Sequence, residues 1–182
     1  MKEELEQKLV AKYPTIFKKY GSSRTESCMS YGCECNDGWY DILDTLCTAL
    51  TSLYETGFFI DGESIILEAP KVVASQIKEK FGTLRFYYIL EYPQIYHDLM
   101  NKYENTDKEH IIDGWANSYK DYIDGIIHMA EIMSSRTCEM SGKPGTYHTS
   151  GNGWCKVLNE EYAKTDDFCV SRGYKIYKSN EN

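Results

Sequence analysis

The sequence predicts an α+β fold: a small antiparallel sheet with a central hairpin, packed by several helices and followed by a degenerate zinc-ribbon-like segment. Three observations predict it. Apolar residues recur at helical spacing over 39–54 and 108–133. Residues 72–90 alternate apolar and charged side chains about a glycine. Residues 137–163 have knuckle-like turns but few thiols. The 182 residues are enough for one core. The pattern divides into an α+β core domain over 1–134 and a ribbon-like segment with its tail over 135–182, packed on the core.

Taken in order, Leu5, Leu9 and Tyr13 give a first helix that Pro14 ends. A polar Gly/Ser/Cys-rich loop fills 18–37. Asn36 and Asp37 are placed to cap a second helix. Its apolar stripe is Trp39, Ile42, Leu43, Leu46, Cys47, Leu50, Leu53 and Tyr54, with Gly57 near its end. Ser64–Glu68 is a short β-rich run.

Over 72–90 a hairpin with a two-residue Gly82-Thr83 turn of type II′ puts Ile77, Phe81, Leu84, Phe86 and Tyr88 on one face. The other face then carries Lys78, Lys80, Arg85 and Tyr87. A helix over 70–80, opened by Pro70 and capped by Gly82, is the competing reading. A short helix and loop follow over 92–107. The longest helix spans 108–133, with Ile111, Trp115, Tyr119, Tyr122, Ile126, Met129 and Met133 at spacings of three and four. The tail after Tyr177 is polar and reads as frayed.

Composition narrows the function. A net charge of −8 and a pI near 5.1 set the global field against phosphate, which disfavours duplex nucleic acid as a partner and makes any anion site a local exception. No apolar run approaches the roughly 20 residues of a membrane span. Met1 to Val10 reads as a charged amphipathic helix rather than a secretory signal. Seven cysteines without a targeting sequence read as reduced thiols of a cytoplasmic protein. Sixteen Tyr, six Phe and three Trp supply flat faces for cores, interfaces or stacking.

A zinc ribbon sets two Cys-x-x-Cys knuckles on tight glycine turns around one ion. Cys138-Glu-Met-Ser141-Gly142 keeps one knuckle spacing and its glycine, and Asn159-Glu-Glu-Tyr162 stands where the second would fall. Ser141, Asn159 and Tyr162 are not usual zinc ligands. Cys138, His148, Cys155 and Cys169 are an alternative set whose spacing fits no standard knuckle. Cys28, Cys33 and Cys35 lack a clear fourth ligand. No cofactor or metal is therefore expected.

Three motifs carry a resemblance. Glu34, Cys35, Asp37, Gly38 and Trp39 form Glu-Cys-x-Asp-Gly-Trp. Lys78 to Tyr87 form Lys-x-Lys-Phe-Gly-x-Leu-Arg-Phe-Tyr. Pro144, Gly145, Gly153 and Trp154 mark the ribbon. With these the chain resembles a family of small phage and bacterial proteins with no established enzyme activity. The resemblance spans about residues 34–163 and implies a phage origin.

The basic face Lys78, Lys80, Arg85, Tyr87 is the main candidate site. Arginine grips phosphate bidentately, lysine adds a point charge, and a tyrosine ring stacks on a base. Solvated strand charges paired with Glu79, Glu91 or acidic helices are the plain alternative. Trp39, Tyr40 and Trp154 complete the candidate ligand-binding set. Trp39 also reads as core, and Asp37 as a cap. His97, His110, His128 and His148 stand in no nucleophile motif, and no phosphate-binding glycine loop is present, so the chain reads as non-enzymatic. The expectation is a phage-encoded binding protein that sequesters a small anionic ligand, a cyclic or ADP-ribose-type nucleotide of a bacterial defence system. The alternative is an interaction module that docks on and inhibits a host protein. A homo-oligomer that builds a pocket between subunits is compatible with either.

Overall fold

The computed structural model describes residues 1–177, so the tail after Tyr177, expected to be frayed, lies outside the described residues. Helix α1 (Glu3–Lys12) buries Leu9, and Tyr13 after it, against the core. Its Glu6 carboxylate is buried and accepts from the Cys33 amide at 2.7 Å and the Tyr20 hydroxyl at 2.9 Å. Strand β1 (Cys33–Glu34) and a 3₁₀ turn over Asp37–Trp39 lead into helix α2 (Tyr40–Thr51).

The predicted caps of α2 do something else. The Asn36 side chain donates to Glu139, and Asp37 accepts from the Lys2 amide. Helix α2 also ends before Leu53 and Tyr54. The Thr51 and Ser52 hydroxyls donate to carbonyls of the last turn, and Tyr54 is exposed.

A hairpin follows that periodicity did not reveal. Strands β2 (Thr56–Ile60) and β3 (Glu63–Leu67) join through Asp61-Gly62, whose φ values of 52° and 82° define a type I′ turn. Asp-Gly is among the strongest short-range hairpin signals.

Strands β4 (Lys71–Lys80) and β5 (Thr83–Glu91) form the central hairpin, so the helical alternative over 70–80 is excluded. Lys80 pairs with Thr83, and the turn is Phe81-Gly82 with φ values of 54° and 79°. The type is I′, not II′ over Gly82-Thr83. From Gln76 to Lys80 each cross-strand partner therefore moves by two: Ile77 faces Phe86 rather than Tyr88. Side chains alternate with period two, so this shift leaves each on its expected face. Phe81 alone leaves the inner face and enters the turn.

A bulge at Ser75 breaks the register between Ala74 and Gln76. Strand β1 joins β4 in parallel, with Glu34 beside Lys78, so the sheet is mixed in the order β1-β4-β5.

Helix α3 (Gln94–Tyr103) precedes the long helix α4 (Glu109–Ser134). The free edge of β5 is covered near its start, where the Leu84 amide donates to Ser134 Oγ at 2.8 Å. The face of α4 turned inward is Ile112, Trp115, Ala116, Tyr119, Ile123, Ile127 and Ala130. The stripe expected from the sequence coincides with it only at Trp115 and Tyr119. Ile111, Tyr122, Met129 and Met133 are exposed and Ile126 is half-buried. The expected stripe runs beside the buried face along the whole helix, from Ile111 to Met133, because apolar residues occupy two adjacent sides of α4.

Strands β6 (Thr146–Thr149), β7 (Cys155–Leu158) and β8 (Lys175–Ile176) form a sheet in the order β7-β6-β8, with helices α5 (Glu160–Thr165) and α6 (Asp167–Arg172) between β7 and β8. The first knuckle position is a turn closed by Gly142 N–H to the Cys138 carbonyl at 2.9 Å. The second is a helix start: Asn159 Oδ1 accepts from the Tyr162 amide, and its amide group donates to the Pro144 carbonyl at 3.1 Å. Cys138, Leu158, Ala163 and Cys169 form a small buried cluster of their own. Among the described residues no three His, Cys, Asp or Glu side chains are placed to hold a metal ion. None of the described helices is long and apolar enough to cross a membrane.

Candidate functional site

The motif residues around Trp39 build a joint between the two buried clusters. Gly38 N–H donates to the Glu139 carbonyl at 2.8 Å, and the Trp39 indole N–H to the Thr137 carbonyl at 2.9 Å. The Glu139 carboxylate, 1% exposed, accepts from the Asn36 amide nitrogen and from Lys156 Nζ, both at 2.6 Å. Burial lowers the Lys156 pKa and the Glu139 charge outweighs it, leaving the ammonium more firmly protonated. Trp39 is wholly buried and its one polar atom is spent, so it leaves the candidate ligand set. Tyr40 packs half-buried against the core at the start of α2.

The hairpin gathers the rest. Lys78 and Arg85 are directly paired across the strands, with Lys80 and Tyr87 on the same face. The Lys78 ammonium lies 5.4 Å from the Tyr87 ring centroid. The Lys80 ammonium lies 5.5 Å from that of Phe81. Arg85 differs from the two lysines. Its guanidinium donates to the Leu84 carbonyl and sits 3.5 Å from the Glu131 carboxylate on α4. The acidic-helix pairing weighed from the sequence thus applies to Arg85. Glu91 pairs with Lys18 instead, and Glu79 points to the inner face and accepts from the Gly82 amide. Burial raises the Glu79 pKa, opposed by that amide and by Lys156.

Three hollows bear on the candidate readings. Lys80 and Trp154, far apart in sequence, meet at the hairpin tip in a hollow of about 380 Å³ with Glu79, Phe81 and Asn152. Sequence reasoning missed Phe81 and Asn152 here. The signal for Phe81 was available, because an X-Gly pair in a two-residue hairpin loop puts X at the tip, as Asp61-Gly62 does. A second hollow, of about 470 Å³, lies between β5 and α4 and brings Ser75, His128 and Asp124 to one rim. Asp124 is taken by the Tyr88 hydroxyl at 2.6 Å and by Lys120 rather than by His128, so no nucleophile–base–acid relay is assembled. Burial, then Asp124, pushes the Tyr88 pKa up. The third, a groove of about 560 Å³ between α2 and α4, is lined by apolar side chains including Ile42, Leu46, Ile126, Met129 and Met133.

Burial pushes the Cys35 and Cys47 thiols up to about 12, and Cys33 higher still. They are inert core thiols rather than nucleophiles. Comparisons with protein-family profiles, curated proteins and solved structures find no match to this chain.

Proposed function

We propose that this protein is a non-enzymatic binding protein that sequesters a small anionic ligand on the outer face of the β4–β5 hairpin. One observation carries the reading. Lys78 and Lys80 share that face, have no ion-pair partner among the described residues, and lie on aromatic rings. An unpaired ammonium on a ring face keeps its charge for an incoming anion and loses little motion on binding. The likeness to phage proteins supports a nucleotide immune signal of a bacterial defence system as that anion, met in the host-cell cytoplasm. Thermal-shift measurements over a panel of cyclic and ADP-ribose-type nucleotides test this. One class raises the Tm, and Lys78→Ala/Lys80→Ala abolishes the rise without lowering the Tm of the free protein. A panel without any shift overturns the reading.

A second reading rests on the α2–α4 groove. An apolar groove flanked by Tyr122, Met129 and Met133 side chains that are roughly half exposed suits the apolar face of a partner protein's helix. Docking then uses this groove rather than the surface around Trp154. A host partner recovered with the parent protein is lost with Met129→Glu and kept with Trp154→Ala. The reverse pattern, or a chain that elutes alone from host lysate, counts against the groove.

A further inference from the structure

We propose that the hollow at the hairpin tip is a stacking subsite, in which the Phe81 ring and the Trp154 indole take an aromatic base beside the Lys80 ammonium. The inference rests on the anionic-ligand reading and names its class: a phosphate ligand that carries a nucleobase.

The first argument is what Phe81 does for the fold. It stands at φ 54°, the left-handed region that a side chain with a Cβ avoids. The first central position of a type I′ turn favours Asn or Asp. The other two-residue hairpin of this chain has Asp at that position, in Asp61-Gly62. A bulky ring is tolerated there when it packs, yet Phe81 is 68% exposed. Backbone strain is spent on a ring that the chain itself scarcely covers, and such strain clusters at ligand sites.

The second argument is Trp154, which lines the same hollow. Trp154 is 65% exposed, while Trp39 and Trp115 are at most 5% exposed. Its backbone is held firmly all the same. Its amide donates to Ser150 Oγ at 2.9 Å, that hydroxyl donates to Asn152 Oδ1 at 2.7 Å, and Gly153 takes φ 84° to close the turn. A rigid loop that presents a large ring to solvent is preorganised for contact. Phe81, Trp154 and Lys80 line the same hollow of about 380 Å³, a volume within the range of small-ligand sites. A base stacked there leaves its phosphate next to Lys80, and Lys78 continues the cationic row along the strand face. The Asn152 amide nitrogen has no partner among the described residues and can donate to a base edge.

Intrinsic tryptophan fluorescence tests this, because Trp154 is the exposed indole of the three. The probes are ADP-ribose, cyclic di-AMP and base-free ribose phosphate. At least one of the two nucleotides quenches the emission and binds at least about tenfold more tightly than ribose phosphate, within the range of stacking one base. Trp154→Ala removes the quench, and both Trp154→Ala and Phe81→Asn bring that nucleotide to within about threefold of ribose phosphate. Phe81→Asn meanwhile raises the Tm, since it relaxes the turn. Lys78→Ala/Lys80→Ala weakens all three probes.

The subsite alone is overturned if ribose phosphate binds as tightly as both nucleotides, or if Phe81→Asn leaves the nucleotide margin intact. If Phe81→Asn lowers the Tm, the strain argument fails and the subsite with it. If none of the probes binds, the subsite and the anion-binding reading fall together.

Discussion

Gly38 offers the sharpest test of how the two buried clusters are held together. A Cβ built there would lie 2.3 Å from the Cys138 carbonyl oxygen, 2.5 Å from the Gly142 nitrogen and 2.6 Å from the Glu139 carbonyl oxygen. Ordinary contact begins at 3.4 Å, and all three atoms are backbone, so no side chain can swing away. Gly38→Ala must therefore part the joint by about an ångström. That breaks or stretches the Gly38–Glu139 and Trp39–Thr137 bonds and the Asn36 grip on the Glu139 carboxylate. At about 1 kcal/mol for each of the three interactions the loss is about 3 kcal/mol. For a chain of this length that corresponds to a Tm fall of roughly 6–12 °C. Gly125 is the control. It lies inside α4 with nothing within 4 Å of a built Cβ, so Gly125→Ala gains about 0.5–1 kcal/mol from helix propensity and raises the Tm. Differential scanning calorimetry of the two variants decides the matter. A Gly38→Ala protein that melts within a degree of the parent would refute the close approach at the joint.

Other outcomes follow from the same geometry. Glu139→Ala leaves the largely buried Lys156 charge without its partner and should cost about 3–5 kcal/mol, read by chemical denaturation. Ile123→Ala should cost about 2–5 kcal/mol, whereas Met129→Ala, on the exposed stripe, should stay within about 0.5 kcal/mol. The Asp44 pKa is held below 3.8, first by the Lys12 ammonium and, against the effect of burial, by the Tyr13 hydroxyl. A carboxyl lowered on folding stabilises above its unfolded value, and that contribution is lost as the pH falls through the depressed value. Asp44→Asn should therefore lower the Tm at neutral pH and converge with the parent as the pH falls through the depressed value. A thiol reagent should label the exposed Cys28 first and spare Cys33, Cys35, Cys47, Cys138 and Cys169 until the protein unfolds. Treatment with EDTA should leave the Tm unchanged, because backbone hydrogen bonds and the Asn159 cap close the knuckle turns.

Much of the fold was legible where the signal is local. The 3.6-residue period placed α1, α2 and α4, and alternation around Gly82 placed the central hairpin and sorted Lys78, Lys80, Arg85 and Tyr87 onto one face. The errors have physical causes. The α4 stripe was misplaced because apolar residues line two adjacent sides of the helix, the buried face and the side of Tyr122, Met129 and Met133 that borders the groove against α2. The β2–β3 hairpin was lost because only four residues separate its first strand, Thr56–Ile60, from the end of α2 and that strand carries a glycine. The joint could not be read at all. Asn36 and Glu139 are 103 residues apart, and no periodicity reports a contact across that distance. It also explains why Asp-Gly-Trp looked like a site: a small residue for close approach and an aromatic with one donor serve a joint as well as a ligand. The tip hollow was half legible, with Lys80 and Trp154 named separately and their meeting visible only in three dimensions.

The Asn159 cap has a consequence for how the C-terminal segment comes into being. A four-thiolate knuckle matures only when an ion is delivered, and until then its halves are loose. Here one side-chain oxygen starts α5 and the neighbouring amide ties it to Pro144, so the two halves can close as soon as both have been synthesised. Closure of the two halves then draws on groups that the chain itself supplies, and the order in which Pro144 and Asn159 leave the ribosome sets when it can happen.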